Sequence, residues 1–197
     1  MNIMAEIDRH EALRRWAIGE VNSEFFCCKN PDIREETLSL LKSGERDKEA
    51  EGIRRHQKTR GSFIGSIPAD TEWFLASFHV VEDEFQGLRT IRDNNLWKKY
   101  SGGSYLLCDA ANYLIKNPYE DRRVSSIIRE LPHGNVDLTG ITLWSMTKEG
   151  PYIIAEGTAR LVAIYYHCIH KGVEIFENNA IEVALGISKT KWCWSPV

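Results

Sequence analysis

The residues best suited to chemistry stand together in the five-residue stretch Glu156-Gly157-Thr158-Ala159-Arg160. It joins an apolar segment typical of a buried strand to a segment with helical spacing. A glycine delivered to the start of a helix creates an anion site, because the first helical amides have no partner within the helix. Gly157 would let a ligand approach the backbone, Thr158 would bond a phosphate oxygen, and Arg160 would offer a planar fork of donors.

The same residues also have a purely structural interpretation. In it, Thr158 only caps the helix, and Glu156 forms an ion pair with Arg160. In the binding interpretation, Glu156 instead orients Arg160, holds a metal ion or contacts a sugar hydroxyl. So short a motif does not decide between the two.

Two further segments carry candidate site residues. Glu82 and Glu84 directly follow a predicted strand, where a carboxylate could act as a general base or hold Mg²⁺ beside phosphates, with Glu82 favoured for the metal. Their structural alternative is acidic residues favoured at a helix start. The stretch SGGS at residues 101–104 is either a flexible turn before a helix or a second phosphate loop, in which Ser101 and Gly102 contact the ligand.

Composition and charge restrict the classes of protein. A net charge of −3 over 197 residues gives no bulk attraction to nucleic acid, which usually binds a clearly basic surface. No signal-like apolar run and no segment of roughly 18 apolar residues is present, so we expect a cytoplasmic protein without a membrane contact. The five cysteines are odd in number and lack CxxC spacing, which favours ordinary thiols.

Residues 1–62 are predicted to form a helical N-terminal arm and a charged linker. Asp8 can cap a first helix that contains Trp16, and a second helix is predicted after Pro31. Residues 42–62 are dense in charges of both signs, with Ile53 as almost their only large apolar residue, and form an exposed linker or a mobile helix. The alternative for this segment is a functional basic patch made of Arg54, Arg55, Lys58 and Arg60.

Residues 63–197 are predicted to form one unit of α and β structure, of the α+β class. In it, helices surround a small mixed sheet. Strand composition marks TEWFLASFHV, GITLWSM, GPYIIAE and AIEVALGI, while helical spacing marks most of the segments between them. In particular, residues 152–156 should form a strand, and a helix should begin within two residues of Thr158.

This arrangement resembles the core of the ParB/sulfiredoxin superfamily. The resemblance lies in a strand, a Gly-x-x-Arg turn that opens a helix, and a later strand of the EVALG kind. The preceding VSSIIRELPHG and ITLWSM are similar to that family's helix ending in glycine and its next strand. The resemblance covers residues 73–187 loosely and residues 127–186 with more definition.

The resemblance implies a nucleoside triphosphate, ATP or CTP, with Mg²⁺, and places Gly157 and Arg160 at its phosphates. Thr158 and Ala159 stand where sulfiredoxins have a cysteine in this turn, which argues against peroxiredoxin repair. Ala159 also replaces the His or Arg that many relatives have before the arginine. Neither the second phosphate motif nor the helix-turn-helix of DNA-loading relatives has a recognisable counterpart after Gly186.

Three functions follow as hypotheses. The first is a nucleotide hydrolase or phosphotransferase in which Glu82 or Glu84 organises Mg²⁺ or the attacking hydroxyl. The alternative is a nucleotide-gated module that binds DNA or a protein partner through its arm, and a ParB-like nuclease comes third. The oligomeric state is open and includes a homodimer. An accessible Arg160 predicts that Arg160→Ala lowers nucleotide affinity more than stability.

Overall fold

The computed structural model describes residues 1–22, 31–92 and 95–196. In this part of the chain a six-stranded mixed sheet forms the centre of the fold, with the strand order β1-β2-β6-β4-β5-β3. β4 is parallel to β6 and β3 to β5, while the other neighbouring pairs are antiparallel. The strands are β1 (Asn2–Ile7), β2 (Glu72–His79), β3 (Leu88–Thr90), β4 (Thr142–Ser145), β5 (Tyr152–Glu156) and β6 (Ala180–Ile187).

Helices surround this sheet, which confirms the predicted α+β class. They are α1 (Arg9–Val21), α2 (Pro31–Leu41), α3 (Arg46–Gly65), α4 (Glu82–Gln86), α5 (Asn95–Tyr100), α6 (Leu107–Lys116), α7 (Arg122–Glu130) and α8 (Thr158–Ile164). A π-helical turn (Tyr165–His170) continues α8. No helix among the described residues combines the length and the apolar character needed to cross a membrane.

Strand β5 and the helix after it form as the sequence predicts. Its first four residues are buried, with Ile153 and Ala155 packed on one face of the sheet and Tyr152 and Ile154 on the other. A strand buried on both faces needs a continuous apolar run, which is why this segment shows no polar alternation. The helix begins at Thr158, as expected.

The N-terminal region differs from the prediction in one respect. The first residues form strand β1, which pairs antiparallel with β2, so they belong to the sheet and not to a helical arm. Ile3 and Ile7 are half-buried against the core, and their pairing with β2 outweighs the weak strand pattern of so short a segment.

The charged segment contains a regular helix, α3, which agrees with the helical alternative. Ile53 is buried against the arm's own apolar cluster, and Glu51 forms ion pairs with Arg54 and Arg55 one turn away. Arg55 also pairs with Glu36 on α2, so acidic groups accompany this half of the predicted basic patch. The side chains of Lys58 and Arg60 lie outside the described residues, as do Cys27 and Cys28.

The two faces of the sheet are covered differently. Helices α6, α7 and α8 pack on one face over a large apolar core. On the other face, α1 and the C-terminal segment meet a cluster rich in tryptophan, in which Trp192 is fully buried. The arm helices α1 to α3 share a small core of their own around Trp16 and Leu41. Helix α1 therefore joins the arm to the sheet.

Candidate functional site

The turn between β5 and α8 is built on a glycine that allows close packing. Gly157 has a φ of +98° and precedes the first residue of α8. A Cβ at this position would lie 2.9 Å from Ile141 Cγ1, which is too close for any real side chain. Glycine is therefore required both by the backbone angle and by the approach of Ile141.

Arg160 lies inside the protein, with 7% of its surface exposed. Its Nη1 donates to the carbonyl oxygens of Asp137 (3.0 Å) and Thr139 (2.6 Å), and its Nη2 donates to Glu156 Oε1 (3.2 Å). The expectation of a solvent-accessible arginine is therefore wrong. In the observed arrangement the guanidinium connects the start of α8 to the loop before β4. It supplies the hydrogen-bond donors that the main-chain carbonyl groups of Asp137 and Thr139 need.

Helix α1 covers this arginine. A Cβ at Gly19 would lie 2.5 Å from Thr139 O and 3.0 Å from Arg160 Nη2. On the facing loop, a Cβ at Gly140 would lie 2.3 Å from Arg15 O. Two glycines thus allow the α1 backbone to lie directly on residues 137–140 and on the guanidinium. An isolated glycine in a helical pattern often marks such an approach, and Gly19 carries this signal in the sequence.

The other residues of the turn are more accessible. The side chain of Glu156 is 22% exposed, and Thr158 is half-buried as the first residue of α8, whose N-cap is Gly157. The structural interpretation is therefore observed for the Glu156–Arg160 ion pair but not for the Thr158 cap.

Arg123 is an additional cation near the turn that the sequence motifs do not single out. Asp121, the buried N-cap of α7, bonds the Arg123 guanidinium at 2.7 Å and 3.1 Å. This hydrogen-bonded carboxylate raises the pKa of Arg123, and Glu156 adds a smaller contribution of the same sign. The spacing Asp-x-Arg at a helix start is the available signal.

The predicted second phosphate loop is a turn that closes on itself, with residues 102–104 exposed and Ser101 buried. Ser101 Oγ accepts from Tyr105 N (3.0 Å), and Ser104 Oγ accepts from Leu106 N (3.1 Å) and donates to Asp109 (2.6 Å). Gly102 has a φ of +62°, and a Cβ added there would have no atom within 4 Å. Residues 101–104 therefore form a turn before α6, as the first interpretation predicts, but they do not cap this helix, because its N-cap is Leu106 and makes no side-chain capping bond.

Glu82 and Glu84 stand in the first turn of α4, the position that the helix dipole favours for acidic groups. Glu84 contacts the Met1 amino group, while Glu82 is exposed. Among the described residues, no hydrogen bond or ion pair joins either carboxylate to residues 156–160, and no three potential metal ligands form a cluster. Their roles in catalysis and Mg²⁺ binding stay predictions.

Glu82 has a different neighbour, the half-buried thiol of Cys108 at the start of α6. Burial raises the pKa of Cys108 to about 11, with smaller contributions from Asp109 and Glu82. A thiol with so high a pKa is protonated at neutral pH and is a poor nucleophile. Cys108 therefore does not supply a reactive nucleophile beside Glu82.

Comparisons of the chain with protein-family models, with curated proteins and with solved structures gave no match in any of the three.

Proposed function

We propose that the chain is a cytoplasmic, nucleotide-responsive binding protein in which a triphosphate and the N-terminal arm use the same turn, residues 156–160. The observation that supports this most is the position of Arg160. The cation that the sequence predicts at the phosphates lies directly beneath α1. A ligand that engages it would change how the arm is held.

The donors of Arg160 support a phosphate as the ligand. A guanidinium carries five N–H groups, and the three observed bonds use three of them. The second Nη2 proton takes part in none of these three bonds, and a phosphate oxygen would accept it once α1, whose Gly19 lies over the guanidinium, moved. Arg123 and the hydroxyl of Thr158 are nearby groups that would bind further oxygens, because both are partly exposed.

The resemblance to the ParB/sulfiredoxin superfamily supports the same ligand class, with ATP or CTP as the nucleotide and Mg²⁺ as its counterion. In this proposal a DNA or protein partner engages the arm. The bulk charge of the chain gives little attraction to DNA, so a protein partner is the better fit.

Hydrolysis or phosphoryl transfer is a weaker proposal, because it requires Glu82 or Glu84 to act at the phosphates of the same nucleotide. Neither residue bonds to the turn in the described structure. If the chain only binds the nucleotide, we therefore expect Glu82→Gln and Glu84→Gln to leave any NTP turnover unchanged. A loss of about a hundredfold in one variant, with nucleotide still bound, would instead assign that carboxylate to catalysis.

A thermal-shift screen with each NTP, with and without Mg²⁺, tests the binding proposal. A ligand that binds only the folded state stabilises it by about 2.7 kcal/mol at a hundredfold excess over its dissociation constant. We expect ATP or CTP to raise the melting temperature of the full chain, and inorganic tripolyphosphate to reproduce part of the effect. If no triphosphate shifts the melting temperature at millimolar concentration, the proposal is wrong and Arg160 is structural only.

A further inference from the structure

We draw no further inference here: the strongest candidate, the outer edge of strand β1 at one end of the sheet, where the side chain of Met4 is 51% exposed, carries none, because its pairing register with β2 shifts between Ile3 and Ala5 and nothing among the described residues shows what would cover this edge.

Discussion

Two glycine-containing turns have the composition of a phosphate loop, and the structure uses them in opposite ways. At Gly157, Ile141 lies where a side chain would begin, so the glycine allows two segments of the core to meet. At Gly102, open space surrounds the same position, so the glycine only lets the chain reverse direction. Both glycines have a positive φ. A glycine in the sequence therefore indicates that the chain turns there, but not whether another segment packs against the turn.

The polar side chains of the two turns differ in the same way. Arg160 donates to carbonyl groups more than twenty residues earlier in the chain, and it lies under α1. Ser101 and Ser104 bond backbone groups within four residues of themselves. A ligand at the first turn would therefore act on distant segments, whereas a ligand at the second would act only on its own loop.

The largest effect expected from this comparison is that of Arg160→Ala. Removing the guanidinium leaves two partly buried main-chain carbonyl groups and Glu156 without their donors, and the loss of three charge-assisted bonds should cost about 3 to 5 kcal/mol of unfolding free energy in total. Urea denaturation measures this loss. Arg129→Ala is the control, because Arg129 is exposed and its pair with Glu130 is worth at most about 1 kcal/mol.

Equal stability losses in Arg160→Ala and Arg129→Ala would contradict the buried, connecting role of Arg160. The expectation from the sequence, a larger effect on nucleotide affinity than on stability, would then be the better description of this arginine.

The two glycines give a smaller and more selective test. Gly157→Ala should cost about 2 to 4 kcal/mol, because it combines an unfavourable backbone angle with a collision against Ile141. Gly102→Ala has only the backbone term and should cost about 1 kcal/mol. The difference between the two unfolding free energies, measured under identical conditions, isolates the packing contribution. Similar values for both variants would show that the close approach of Ile141 relaxes easily.

The sequence predicts local structure well where one segment carries the whole signal. The apolar run of β5, the glycine after it and the helical spacing after Thr158 all lie close together in the chain, and each prediction is confirmed. The Ser101 turn is also local, and a turn before a helix is one of the two interpretations that its sequence allows.

What the sequence does not reveal is which segment covers which. The burial of Arg160 depends on α1 and on the loop before β4, which are both distant in the chain. No sequence pattern near Arg160 predicts that these two segments pack against it. Strand β1 escapes prediction for a related reason, since its stability comes from pairing with the distant strand β2. Long-range packing thus decides whether a motif is open to a ligand, while local patterning decides only that the motif forms.

The most direct test of the central claim is hydrogen exchange of helix α1 in the wild-type chain, with and without saturating ATP and Mg²⁺. If α1 and the triphosphate compete for the turn, amides at Trp16 to Asn22 should exchange faster when ATP is bound. Helix α6, which packs on the opposite face of the sheet, serves as the internal reference and should not change. ATP binding accompanied by unchanged or slower exchange in α1 would contradict the account.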